Sequence, residues 1–215
     1  MLAAPLVGLA IGLMLLAPAA LLTGTSPGVS AALVLLVWVG VTGALHLDGL
    51  ADCADAWVGG HGNRARTLEI LKDPRCGPVG VTAVVLLLIG KFATLESLLA
   101  SETLVALVIG PVLGRAATVA LMLGLPYARS DGIGQAHSEH LPRNSAYGVL
   151  GTCALGACVI GGLRGLAAVA AATLVVLILE RSMRGRLGGC TGDGLGAGCE
   201  LVELTVLVTF ALGNP

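Results

Sequence analysis

Three aspartates, Asp48, Asp52 and Asp55, stand at spacings i, i+4 and i+7 in the run His-Leu-Asp-Gly-Leu-Ala-Asp-Cys-Ala-Asp of residues 46–55. On an α-helix that spacing sets all three carboxylates on one face, over about 10 Å at 1.5 Å per residue. Like charges so placed repel, and a bound cation relieves the repulsion. Oxygen ligands select a hard ion such as Mg²⁺, which commonly takes substrate phosphate oxygens as well. The plain alternative is a solvated helix end with accidental acids. His46 opens the run as a general base or ligand, or as a packed, hydrogen-bonded histidine.

A basic stretch follows. Gly59-Gly60-His61-Gly62 supplies a flexible turn, and Arg64, Arg66, Lys72 and Arg75 come next, the last two bracketing Asp73 and Pro74. Carboxylates for a metal beside cations for phosphate suit phosphoryl transfer. For Arg64 and Arg66, membrane orientation alone is an alternative explanation. A third stretch, residues 188–198, holds six glycines with Thr191 and Asp193 and leads into an apolar run. Backbone amides of a Gly-rich turn at a helix start suit a phosphate. No Gly-Lys-Ser/Thr follows, so it is not a P-loop, and no strand precedes it as a dinucleotide fingerprint requires. Small residues also simply permit close helix packing. The six cysteines contain no CxxC pair and outline neither a disulfide framework nor a metal site.

The elements that must position these groups are set by composition. Of 215 residues, 56% are apolar, a further 32 are Gly, only 12% are charged, and the mean hydropathy is +0.94. Soluble domains carry about 25% charged residues, so a soluble domain, a disordered chain and a nucleic-acid binder are excluded. The chain is expected to be one domain, residues 1–215, and an all-α polytopic membrane bundle of six or seven helices. A crossing takes roughly 20 apolar residues. The candidate spans are 2–22, 29–45, 78–99, 104–125, 146–163, 166–179 and a short, weak 201–212 that carries Glu200 and Glu203.

The long polar stretches follow spans two, four and six, so they share one side. That side holds Arg64, Arg66, Lys72, Arg75, Arg129, Arg143, Arg181, Arg184 and Arg186, against Arg164 alone on the other. The bias makes the polar side cytoplasmic. Lys91 and Arg115 fall inside spans, where a charge costs about 2.5–3.5 kcal/mol on insertion scales. They should face the protein interior or sit near an end, with Glu96 a possible partner nearby.

These blocks, in this order, resemble the cobalamin synthase family of adenosylcobinamide-GDP ribazoletransferases. Residues 43–55 are similar to its G-A-L-H-x-D-G-L-A-D-x-A-D block, and residues 68–77 to L-E-I-M-K-D-S-R-x-G. Gly114-Arg115 and Pro126-Tyr127-Ala128-Arg129 with Gly132 and Gly134 match a later block, and residues 187–197 match L-G-G-x-T-G-D-x-x-G-A. Members usually begin with further residues, including a Phe-Thr-Arg-Leu-Pro-like stretch, so the chain reads as a shortened form.

The resemblance implies a Mg²⁺-dependent enzyme of the bacterial or archaeal cell membrane with a cytoplasmic site. It would join α-ribazole, or its 5′-phosphate, to adenosylcobinamide-GDP and release GMP late in coenzyme B12 assembly. Asp48, Asp52, Asp55 and Asp193 are the expected metal ligands. His46, Asp52 and Asp193 are the catalytic candidates, and His46 or Asp52 the base. Arg64, Lys72, Asp73, Arg75, Arg115, Arg129 and Thr191 are expected to bind substrate or phosphate.

Three other readings fit less well. A CDP-alcohol phosphotransferase would need its D-x2-D-G-x2-A-R-x8-G-x3-D-x3-D pattern, which is absent. A small transporter would gather its polar groups at midplane. An intramembrane hydrolase would need a nucleophile beside His46.

Overall fold

Pro27 and Pro78 mark where two helices begin, because proline lacks the amide that a first helical turn leaves unused. A computed structural model describes residues 1–128 and 141–213. Its elements are α1 (Ala4–Leu21), α2 (Pro27–Thr42), α3 (Leu45–Gly59), α4 (Arg64–Ile70), α5 (Pro78–Ala100), α6 (Val105–Gly124), α7 (Arg143–Leu187) and α8 (Gly192–Leu212). Five helices are each long and apolar enough to cross a bilayer, and α2 with α3 forms a sixth, bent unit.

The 45-residue α7 is two crossings. At Gly162 the backbone turns to φ 59°, ψ −137°, a conformation open chiefly to glycine. A Cβ placed on Gly165 would lie 2.0 Å from the Ala157 carbonyl oxygen, although eight residues span about 12 Å in a straight helix. Both ends of α7 therefore return to the same place. Arg143 donates to the Leu123 carbonyl at 3.5 Å and Arg184 to that of Gly124 at 2.6 Å, both at the end of α6. With the two arms of α7 counted separately, seven apolar rods make the bundle, as expected from the sequence.

The centre is α6 and α8. Their apolar windows are 78% and 61% buried, against 22% for α5 and 17% for α7. Trp38, Leu107, Leu207 and Phe210 fill the middle. The outer faces carry exposed Leu86, Ile89, Val159 and Leu177, as lipid-facing positions should.

Two expectations about the elements change. The acid-bearing segment does not continue the second span. Gly43 and Ala44 both adopt left-handed φ, 60° and 58°, and the chain bends by 87° between α2 and α3. The last helix is not short. It begins at Gly192 inside the Gly-rich stretch, runs 21 residues, and is among the most buried elements.

Glu200 and Glu203 explain that burial. Lys91 of α5 donates to Glu200 at 2.7 Å and to Glu203 at 2.5 Å, and Arg115 of α6 pairs with the other Glu203 oxygen. The Lys91 ammonium also lies 4.5 Å from the Trp38 ring centroid. Two cations and two anions thus balance inside the bundle. The interior placement expected for Lys91 and Arg115 holds, but the partners are on α8. Glu96 is exposed and lies beside Gly28 in the first turn of α2.

Candidate functional site

The break at Gly43-Ala44 turns α3 across the end of the bundle, over the first turns of α8. Glycine makes the crossing close. A Cβ on Gly49 would lie 2.8 Å from the Asp193 carbonyl oxygen, and one on Gly196 would lie 3.2 Å from His46 Cα. At the far end of α3, Trp57 Nε1 donates to Ser182 Oγ at 2.8 Å, and Arg186 donates to the Trp57 carbonyl at 2.6 Å. The segment before 129 pairs with the Gly-rich loop through Ala128 N to Cys190 O at 2.8 Å and Cys190 N to Pro126 O at 2.9 Å. The first and third polar stretches, with residues 126–128 of the second, therefore meet at one end of the bundle.

Asp48 is exposed, and Asp52 and Asp193 are half-buried. Gly49 packs on the Asp193 backbone, so these three acids belong to one crossing of two helices. Asp55 is placed differently. Its carboxylate accepts from Gly77 N at 2.6 Å and Gly80 N at 2.9 Å. It ties α3 to the start of α5 and satisfies amides that a helix start leaves open. Asp55, expected among the metal ligands, is thus the one of the three α3 aspartates whose carboxylate anchors the start of α5.

Among the described residues no three His, Cys, Asp or Glu side chains stand close enough to cage a metal ion. Mg²⁺ usually takes one or two carboxylates and completes its shell with water and substrate phosphate. Asp48, Asp52 and Asp193 supply hard oxygen donors of that kind.

His46 does not join the acids. At about 100° per residue it projects some 160° away from Asp48 around α3. It lines a cavity of about 420 Å³ together with Arg115 and Thr118 of α6. Its Nδ1 is buried and has no hydrogen-bond partner among the described residues. Arg115, expected to bind phosphate, is held on one side by Glu203 and by the Pro111 carbonyl at 3.5 Å, and it too faces this cavity.

Thr191 is fully buried, and its hydroxyl accepts from Gly194 N at 3.1 Å. Thr191, expected to bind substrate, caps α8 from within the packed interior. The glycines after it are packing positions. Gly194 meets Met183, Gly196 meets His46, and Gly198 meets Leu121.

In the basic stretch, Asn63 caps α4 by accepting from Arg66 N at 3.1 Å. Arg66 pairs with Glu69 at 2.8 Å. Arg75 grips Asp73 through its backbone amide, Nε and Nη2. Those hydrogen bonds hold the Asp73 carboxyl at about 2, below its ordinary value. Asp73 therefore shapes the loop that presents Arg75 and the exposed Lys72. Arg64 lies over Gly188, with its guanidinium carbon 3.7 Å from where a Cβ would stand. Arg129, with Gly132 and Gly134, lies outside the described residues.

Sequence reasoning missed Glu200 and Glu203 as the partners of the buried cations. The signal was present in their i, i+3 spacing, which puts both on one face of a helix.

The cobalamin-5-phosphate synthase family matches residues 1–211. A curated adenosylcobinamide-GDP ribazoletransferase of Pseudomonas savastanoi pv. phaseolicola is 50% identical over 208 residues, 97% of this chain and 86% of that protein. The same enzyme of Stutzerimonas stutzeri is 52% identical over 97% of this chain and 84% of its own length. That of Pseudomonas entomophila is 51% identical over 97% and 85%. No solved structure matches. A match over residues 1–211, nearly the whole chain, places it in the cobalamin-5-phosphate synthase family.

Proposed function

We propose that the chain is a membrane-embedded transferase that joins α-ribazole, or its 5′-phosphate, to adenosylcobinamide-GDP with release of GMP. The observation that carries this reading is the family match over residues 1–211, and the α3–α8 crossing of Asp48, Asp52 and Asp193 supports it. A ribose hydroxyl oxygen of the acceptor attacks the cobinamide-side phosphorus. The bond from that phosphorus to the oxygen bridging it to GMP breaks, and GMP leaves with the electron pair. Asp52 takes the hydroxyl proton. Asp48 and Asp193, one from each helix of the crossing, would hold Mg²⁺, which when bound neutralises pyrophosphate charge and stabilises the departing phosphate.

Lys72, Arg64 and Arg75 draw the donor's phosphates to the polar end, and Arg129 is a further candidate. The excess of Lys and Arg at that end supports a site facing the cytoplasm of the cell.

The test uses purified protein in liposomes with adenosylcobinamide-GDP, α-ribazole and Mg²⁺. GMP release with formation of the joined cobalamin is expected. Absence of product, together with turnover of a CDP-alcohol substrate, refutes the reading. Asp52→Asn should abolish turnover, and a variant that kept both activity and Mg²⁺ dependence would overturn the role given to Asp52.

A further inference from the structure

A groove of about 370 Å³ runs between α6 and the two arms of α7, within their membrane-spanning parts. Small side chains carve it. Ala116 and Ala117 make a buried floor on α6, flanked by Ala154 of the first arm and Ala172 of the second. Its one polar lining group, the Thr173 hydroxyl, already donates to the Val169 carbonyl at 2.7 Å. Gly151 and Thr173 at its edges are exposed, as are Leu155 and Leu174 beside them, so the groove opens sideways to where lipid lies. Shape limits the occupant. The lining on α6 runs from Leu113 to Ala120, about 10 Å at 1.5 Å per residue, which makes the mean cross-section about 35 Å². A helix about 10 Å across needs about 80 Å², so a helix from a second copy is too thick, whereas an extended hydrocarbon chain fits.

Charge at the polar end of the bundle selects further. Each wall continues past the groove along its own helix face, by steps of three and four residues. On α6, Ala117 and Ala120 lead to Gly124. On the first arm, Ala154 and Leu150 lead to Tyr147 and Arg143. On the second, Val176 leads to Glu180 and Arg184. These ends come together. Arg143 donates to the Leu123 carbonyl at 3.5 Å, Arg184 to that of Gly124 and to Glu180, both at 2.6 Å, and the Glu180 carboxylate lies against Gly124. Arg181 adds a further exposed cation one position on, so arginine outnumbers glutamate there among the described residues. Tyr147, between Arg143 and Leu150, is exposed, as tyrosines at a membrane–water interface are. The cations stand about two turns beyond the last apolar lining residues, which is where a headgroup lies when its chain is in the groove. We propose that the groove seats one acyl chain of an anionic phospholipid whose phosphodiester lies against Arg143 and Arg184. A zwitterionic lipid brings its own cation to the same arginines and gains less. The bound lipid joins both arms of α7 to the end of α6, two residues before the Pro126 carbonyl that Cys190 binds.

The test is native mass spectrometry of the detergent-purified, delipidated protein titrated with dioleoylphosphatidylglycerol or dioleoylphosphatidylcholine. Phosphatidylglycerol should be retained about tenfold more tightly, the effect expected of one or two cations on an anionic headgroup. Arg143→Gln with Arg184→Gln should bring the two lipids level, and the same positions changed to Lys should restore most of the preference. Arg164→Gln, at the opposite end of the bundle, should leave it unchanged. Ala154→Phe fills the groove and should remove the tightly held phosphatidylglycerol from a protein that still elutes with the parent on size exclusion. If that variant fails to fold, the paired arginine variants decide. Equal retention of both lipids by the parent overturns the proposal, because it means bulk lipid only. So does a preference that survives the double Gln variant or falls equally in Arg164→Gln, and so does phosphatidylglycerol retained by folded Ala154→Phe. A dimer of the chain that Ala154→Phe breaks would also overturn it, by giving the groove to a second copy.

Discussion

Lys91→Met removes one cation from a cluster in which no charged side chain is more than 5% exposed. Glu200 and Glu203 then face Arg115 alone, one net negative charge in apolar surroundings. Glu200→Gln does the reverse and leaves one net positive charge. Breaking a buried pair from one side costs about 3–5 kcal/mol. At about 2–4 °C per kcal/mol for a chain of this size, each single variant should melt about 6–20 °C below the parent. The double variant keeps the Arg115–Glu203 pair and is again charge-balanced. It should melt above the less stable single variant and recover about half of that loss, because the two changes are coupled. Recovery stays partial because Lys91 also serves Glu203 at 2.5 Å and stacks on Trp38. The assay is size-exclusion chromatography of detergent-solubilised protein after graded heating. Strictly additive losses, or single variants that melt with the parent, would refute the argument.

Gly49→Ala drives a methyl group into the Asp193 backbone at 2.8 Å. It should cost about 1–3 kcal/mol as overpacking and depress turnover more than the nearby Ala51→Gly does, measured by GMP release alongside melting. Asp55→Asn should lower stability by about 1 kcal/mol as a lost cap and leave the Mg²⁺ concentration for half-maximal turnover unchanged, whereas Asp48→Asn raises it. Cys76 is exposed, while Cys53 and Cys190 are buried, and burial pushes the Cys190 thiol up to about 11. At pH 7 a hydrophilic maleimide added to the detergent-solubilised protein should therefore label Cys76 and spare the other two. Asp73 has its carboxyl held at about 2 against an ordinary 3.8, so the loop closure it makes with Arg75 is fully present above pH 4. It is lost as the pH falls through 2, readable as the Asp73 carboxyl carbon shift in NMR.

Apolar run length located the crossings, and the boundary between the expected spans 146–163 and 166–179 falls at the Gly162 turn within α7. These features are local, and a bilayer demands them of any sequence. The bend between α2 and α3 was hidden because a left-handed Ala44 has no composition signal. Its φ is fixed by α3 packing on α8, a contact between residues far apart in the chain. Run length also undercounted α8, because glycines that look like a turn are the contact face against Met183, His46 and Leu121. At the site, aspartate spacing identified the acid face of α3, but spacing alone cannot separate Asp55 from Asp48 and Asp52. Only the arrival of Gly77 and Gly80 does that. His46 was read with the acids because it is near them in the chain, and helix geometry puts it on the opposite side.

The balanced quartet also makes three helices interdependent. Among the described residues, Lys91 of α5 and Arg115 of α6 find their counter-charges on α8. Without Glu200 and Glu203, α5 and α6 would bring two cations into one apolar interior with nothing to offset them, so α8 is the element that lets the other two share it.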